Sequence, residues 1–325
     1  MAQRKIPLLI LILIVVSTGI FAKKKTLRFN QNGVFKIVQF TDTHYYFDSP
    51  KSAVVIEMMN EVLDAEKPDL VIFTGDVVTL APLEKGWRAI TEPIVKRQIS
   101  WAVTLGNHDD EQDQKREAIL PLIKDIPYNV TLEGDKKVYG HGNYVLPIQS
   151  QLANKTVALL YCMDSNAYTS IEGVGKYGWF RRSQIDWYSQ TSSRWTKKNG
   201  GTPLPALAFF HIPLPEYTQA WEKGDLEPIG VKNEEVCSPV VNTGMFATML
   251  QQGDVMGTFV GHDHVNDYVA ALHGIALTYG RFSGGASTYG DLTNGARVIV
   301  LEEGKRQFTT WIRVRGGEKI NEVTY

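Results

Sequence analysis

Leu70-Val71-Ile72-Phe73-Thr74-Gly75-Asp76 is an apolar, β-branched run that stops abruptly at a glycine and a carboxylate. A run this short, with apolar residues at consecutive rather than alternate positions, is the pattern of a strand buried on both faces, as in parallel sheet. Gly75 lets the backbone turn sharply. Asp76 then falls at the carboxyl end of a strand, where open α/β sheets assemble their sites. The pattern recurs along the chain. Phe35 to Phe40 leads into Asp42-Thr43-His44, Trp101 to Leu105 into Gly106-Asn107-His108-Asp109, Ala206 to Phe210 into His211, and Val255 to Val260 into Gly261-His262-Asp263-His264. Val157 to Cys162 is a sixth run of this kind.

Helical periodicity fills the gaps between these runs. Ser52 to Glu66 is closed by Lys67-Pro68, and Leu83 to Lys96, Glu111 to Ile123 and Ser183 to Lys197 follow, the last closed by Asn199-Gly200-Gly201. Past Tyr268 the pattern becomes strand after strand: Tyr268 to Leu272, Ile275 to Tyr279, Arg297 to Leu301 and Gln307 to Val314, joined by turn residues. No repeat or Pro- or Ser-rich linker divides the chain. The sequence therefore predicts an α/β fold, two packed mixed β-sheets flanked by helices, forming a single domain over residues 23–325.

Residues 1–22 read differently. Arg4 and Lys5 precede an apolar stretch from Ile6 to Ile20, and Phe21-Ala22 gives way to three lysines. That is the charged and apolar pattern of a secretory signal cleaved after Ala22. The alternative is an uncleaved N-terminal anchor, in which case the protein meets a membrane. Either places the domain outside the cytoplasm. A net charge of −1 and no basic run interleaved with aromatics give nucleic acid nothing to hold. The two cysteines, Cys162 and Cys237, allow one disulfide in an exported protein but form no C-x-x-C pair. Oligomeric state is not legible.

The polar clusters carry the chemistry. Asp42 and His44, two apart, can turn to one face just past a strand end. Asp76 has two oxygens with which to bridge two cations. Asn107 offers a neutral hard ligand and leaves the adjacent His108 free to handle protons. A lone His211 at an apolar edge would ordinarily be a core residue. The H-x-H pair His262 and His264 puts two imidazoles on one side, which ordinary turns rarely need. Together these residues suffice for two metal ions.

Five such motifs in this order resemble the calcineurin-like metallophosphoesterase superfamily, whose pattern is D-x-H, G-D, G-N-H-D/E, H and G-H-x-H. Phe209 to Tyr217 and Gly261 to Asp267 are similar to a purple acid phosphatase-related group found in plants, fungi and bacteria. The resemblance implies a two-sheet sandwich. It implies one ion on Asp42, His44, Asp76 and His264 and a second on Asp76, Asn107, His211 and His262. It also implies His108 facing the leaving-group oxygen, with Asp109 orienting it. True purple enzymes carry a Tyr ligand three residues past the bridging Asp. Thr79 stands there instead, so the protein should not be purple, and Fe, Mn or Zn are all admissible.

The expected function is hydrolysis of small phosphate esters, monoesters before diesters, by a metal-activated hydroxide with His108 as general acid. The alternatives are a phosphodiesterase of the same fold and a catalytically idle, metal-stabilised binding protein. Loops Asp164 to Trp179 and Pro213 to Pro239 are expected to form the rim. Gly173 to Gly178 matches a dinucleotide fingerprint, but no helix opens after it, so it reads as a surface loop.

Overall fold

In the computed structural model, residues 26–285 and 289–325 are described, so the expected signal or anchor at 1–22 lies outside them. The first sheet holds β1 (Val34–Phe40), β2 (Leu70–Thr74), β3 (Ser100–Thr104), β11 (Gly295–Glu302), β12 (Phe308–Val314) and β13 (Lys319–Thr324), in the order β13-β12-β11-β1-β2-β3. The second holds β4 (Tyr144–Gln149), β5 (Thr156–Cys162), β6 (Ala206–Phe209), β7 (Leu226–Ile229), β8 (Val255–Val260), β9 (Val269–Leu272) and β10 (Ile275–Tyr279), in the order β4-β5-β6-β8-β10-β9-β7. Both are mixed. β1, β2 and β3 are parallel in the first, as are β5, β6, β8 and β10 in the second.

Alternation along each strand makes three hydrophobic layers. Ile37, Leu70 and Ile72 of the first sheet meet Leu160, Leu207, Phe209 and Phe259 of the second, with Phe209 and Phe259 stacked at 5.2 Å. The intervening residues Val38, Phe40, Val71 and Phe73 face α1 (Ala53–Glu66), α2 (Leu83–Lys96) and α3 (Arg116–Ile123). On the far side, Ala208, Phe210 and Leu277 face α4 (Arg182–Lys198), α5 (Glu216–Lys223) and α6 (Met245–Gln252). Every one of these large side chains removes apolar surface from water, about 1.5–3 kcal/mol each.

Register fixes the site. Thr74 pairs with Thr104, and Phe40 with Phe73, so the three parallel strands of the first sheet end nearly flush. In the second sheet Phe209 pairs with Phe259, and Val260 with Tyr279. All the polar clusters therefore emerge at one end of the sandwich. α3 begins at Arg116, later than the expected Glu111, because residues 110–115 turn to place Glu111 and Arg116 beside the cluster before them. Cys162 lies in the inter-sheet core, Cys237 in a loop, and both thiols are free. No helix among the described residues is long and apolar enough to cross a membrane.

Candidate metal centre

Four of the expected ligands sit in backbone conformations that ordinary residues avoid. Asp42 (φ 53°), His44 (φ 39°), Asp76 (φ 50°) and His262 (φ 78°) are all in the left-handed region, a strain of about 1–3 kcal/mol each that only surrounding structure can hold. Hydrogen bonds hold it here. Asp42 N–H donates to Gly75 C=O at 3.1 Å, His44 N–H to Asp76 C=O at 3.0 Å, and Gly261 N–H to His211 C=O at 3.1 Å. His262 N–H donates to Asp42 Oδ2 at 2.9 Å, joining the two sheets through a ligand. Glycine is required at Gly75, where a Cβ would stand 2.5 Å from His211 Nδ1 and 2.6 Å from Gly106 N.

The side chains gather into two groups, Asp42 with His44 and His264, and Asp76 with His211 and His262, the ligand atoms of each group lying within 4.8 Å of one another. Asp76 Oδ2 is 3.1 Å from His211 Nε2 and 3.8 Å from His44 Nε2, so one oxygen faces both groups. The other, Oδ1, accepts His108 N–H at 2.7 Å. Asp76 thus faces both groups, as a bridging carboxylate would have to, while one of its oxygens also fastens the His108 backbone. His264 Nε2 lies 3.5 Å from Asp42 Oδ1, and His262 Nδ1 3.3 Å from His211 Nε2.

Charge follows burial and neighbours. Burial alone would lift the Asp42 carboxyl, but His211 and His264 outweigh it and hold it at about 2. Asp76 is depressed further by His211 and His44, again against burial. Burial pushes His44 down to about 4 and His262 to about 3, leaving both imidazoles neutral, as ligands must be. Burial would lower His211 too, yet Asp76 and Asp42 raise it to about 9.

Asn107 Nδ2 donates to the Tyr168 hydroxyl at 2.9 Å, and the amide's Oδ1 is buried with no partner among the described residues. His262 Nε2 is likewise unpartnered. A buried acceptor left unpaired costs about 1–3 kcal/mol, which a bound cation would relieve. Imidazoles, carboxylates and an amide carbonyl, with no thiolate, form the hard-to-borderline donor set of a first-row transition metal. The residues present fit a dinuclear centre. Thr79 Oγ1 lies 3.3 Å from His44 Nδ1, beside a candidate ligand where a phenolate would otherwise stand.

The Asp109 carboxylate, which the resemblance implies would orient His108, is engaged by backbone instead. It is buried and accepts the N–H groups of Gly106 (2.8 Å), Val77 (2.8 Å) and Asp76 (3.0 Å), which pins two cluster backbones together. Burial, reinforced by the Asp76 charge, raises its carboxyl to about 6. Glu111 takes the expected role, its Oε2 lying 2.7 Å from His108 Nδ1. The i, i+3 spacing of His108 and Glu111 was the available signal. Arg116 was also missed. It donates to Gly106 C=O at 2.6 Å and to Asp164 through Nε at 3.1 Å, holding the cluster against the rim loop.

The rim is aromatic. Tyr168 lies against His108 (6.2 Å), Tyr177 edge-on to His262 (4.5 Å), and Tyr289 stacks on His264 (4.4 Å). The run Gly173 to Gly178 is a loop, as expected, but its Tyr177 reaches the site. Tyr45, just past the first cluster, is buried in the layer that faces α1 to α3.

The chain belongs to the calcineurin-like phosphoesterase family, whose model matches residues 35–266. Over 316 residues it is 36% identical to a protein of Arabidopsis thaliana named probable inactive purple acid phosphatase 14, covering 86% of this chain and 77% of that protein. It is 30% identical to phosphatase DCR2 of Saccharomyces cerevisiae, covering 88% of this chain and 55% of that one. The fold is that of a dimetal phosphatase from Danio rerio, with a TM-score of 0.60 at 12% identity over 89% of this chain and 98% of that one.

Proposed function

We propose that this protein is a dinuclear metal-dependent phosphoesterase, exported from the cytoplasm, that hydrolyses small phosphate monoesters. The observation that carries this reading is Asp76 Oδ2 facing both ligand groups while His108, its side chain 38% exposed, stands beside His44 at the mouth. Asp42, His44, Asp76 and His264 would hold one ion, and Asp76, Asn107, His211 and His262 the other. When bound, two such ions supply Lewis-acid charge at the phosphoryl oxygens and make water acidic enough to attack near neutral pH.

The chain's own residues supply the rest. Glu111 holds the Nδ1 proton of His108 and so fixes the ring, leaving Nε2 to deliver a proton to the departing alcohol oxygen. Asp109 and Arg116 keep the 106–110 backbone in place. The idle-binding alternative retains some support in the word "inactive" in the Arabidopsis relative's name.

Reconstitution with Mn, Fe or Zn, followed by parallel assays on p-nitrophenyl phosphate and its bis ester, tests the reading. Two ions per chain and faster monoester turnover are expected, and Asp76→Ala should lose both ions. Two bound ions with no turnover of either ester would establish the idle protein instead. His108→Ala should keep its metal and lose on the order of 10²–10⁴ in turnover for alkyl esters but little for esters of acidic phenols. Equal losses for both would remove the general-acid role.

A further inference from the structure

The loop between β5 and α4 is a built element. Thr169 N–H donates to Lys176 C=O at 3.0 Å and Gly178 N–H to Ala167 C=O at 2.8 Å, so Tyr168 and Tyr177 become a cross-strand pair with rings stacked at 6.1 Å. The base is clamped, with Asn166 Nδ2 donating to Trp179 C=O at 2.8 Å and to Gln184 Oε1 at 3.0 Å. Asp164, at the loop's start, is held by Arg116. At the exposed tip, a Cβ on Gly175 would meet Val240 of the opposite loop at 2.7 Å. With its base clamped and its two arms hydrogen-bonded, the hairpin holds one ring against His108 and the other against His262.

Lys176 lies on this hairpin. Its Nζ is 5.7 Å from the Tyr168 ring centre and 5.2 Å from that of Tyr177. It makes no ion pair among the described residues. An exposed ammonium over aromatic rings gains only about 0.5–1 kcal/mol, so it can turn toward an anion at little cost. The nearest ring beneath it touches His262, a residue of the second ligand group. With the Tyr177 ring between it and His262, the ammonium is placed to meet a second charge on the alcohol portion rather than a phosphate held by the ligand groups.

We infer that the Tyr168–Tyr177 hairpin, with Lys176, is the subsite for the alcohol portion of the substrate, and that it selects phosphomonoesters carrying a second anionic group, a carboxylate or another phosphate. The inference rests on the proposed phosphoesterase reading for its substrate class. The carboxylates nearby do not remove the case. Glu111 is taken up by His108, and Glu234 accepts the Tyr289 hydroxyl at 2.9 Å.

The test uses two matched pairs of probes on the metal-loaded protein. Phenyl phosphate and 4-(carboxymethyl)phenyl phosphate have leaving groups of similar acidity, so kcat/KM compares recognition alone. The corresponding unreactive phosphonates, titrated calorimetrically, report the same subsite without turnover. The wild type should favour the carboxylate-bearing member of each pair. In Lys176→Gln that preference should fall about tenfold, or ~1.4 kcal/mol, in KM and Kd rather than kcat, and Lys176→Arg should restore most of it. Rising salt should erode the wild-type preference. An unaltered preference in Lys176→Gln overturns the inference even when both esters turn over. Absent turnover with the phosphonate preference intact would instead strike the enzymatic reading and leave the subsite standing.

Discussion

The two ends of the first sheet are built in opposite ways. At one end, Glu66 at the close of α1 is buried, and its carboxylate accepts from Arg313 Nε (2.7 Å), Lys36 Nζ (3.0 Å) and Trp311 Nε1 (3.0 Å). At the other end, where β1 and β2 run into Asp42 and Asp76, candidate ligands occupy left-handed backbone and the Asn107 side-chain oxygen is buried without a partner among the described residues. The first arrangement is complete within the protein, the second only with something added. Polar groups at the Glu66 end raise stability, while those at the metal end draw on it.

The difference can be broken most severely at Gly75. Gly75→Ala adds a Cβ at φ +90°, against His211 and Gly106, and should cost at least about 3 kcal/mol in urea unfolding together with metal loss. Retained stability and metal content would mean that the metal end is slack rather than strained. Asp109→Asn comes next. It places an amide against three N–H groups that now share a carboxylate, for a loss of about 2–3 kcal/mol. It should slow alkyl and aryl esters alike, whereas Glu111→Gln should slow alkyl esters selectively, so a shared leaving-group dependence would return the orienting role to Asp109.

Glu66→Gln sharpens the contrast from the far end, with an expected loss of about 2 kcal/mol at pH 7 and unaltered metal content. Burial alone would raise the Glu66 carboxyl, but its bonds to Trp311, Lys36 and Arg313 bring it below the ordinary 4.5. A depressed carboxyl contributes stability in full above the unfolded value and loses it as pH falls through the folded one. The gap between wild type and variant should accordingly close below about pH 4.5, and a gap constant with pH would show that Glu66 acts through shape alone. The smallest effect is expected of Tyr289→Phe. It keeps the ring on His264 and loses the bond to Glu234 and the long 3.5 Å bond accepted from His264 N–H, so metal affinity, read by competition with a chelator, should change less than about fivefold.

The strands most legible in the sequence are the interior ones. Leu70–Thr74 and Val255–Val260 are buried throughout and largely apolar because both faces are covered, and the structure begins and ends them where the sequence does. β4, β7 and β13 were not anticipated, and all three are edges of their sheets. Edge strands tolerate what central strands cannot, and Pro147, Pro228 and the charged Lys319–Thr324 run hide them from a reading based on apolar pattern. α5 and α6, eight residues each, are too short to show a period. At the site, the polar clusters stood out because each interrupts an apolar run. Tyr168 and Glu111 did not, since their placement depends on how loops return. The Asp109 role came from the resemblance alone, and no pattern in the chain shows that its carboxylate is taken up by the N–H groups of Gly106, Val77 and Asp76.

The order of strands also sets a timetable. Every candidate ligand has been made by residue 264, yet β1, which positions Asp42 and His44, has β11 at Gly295–Glu302 as its antiparallel neighbour. Arg297 of β11 also reaches back to Tyr279 C=O, binding the first sheet to the strand that flanks β8. A growing chain that stops short of β11 therefore carries a full set of donors on a sheet with one bare edge. Pairing across so long a loop is slow and comes late. Chains ending at residue 266 should be protease-sensitive and bind metal weakly, and those extended through β13 should resist; equal resistance in both would place completion of the centre before the last strands arrive. On this reading the strand that borders β1 lies more than two hundred and fifty residues downstream of it, so the truncation series asks whether that hydrogen-bonded edge, rather than the final histidine, completes the candidate centre.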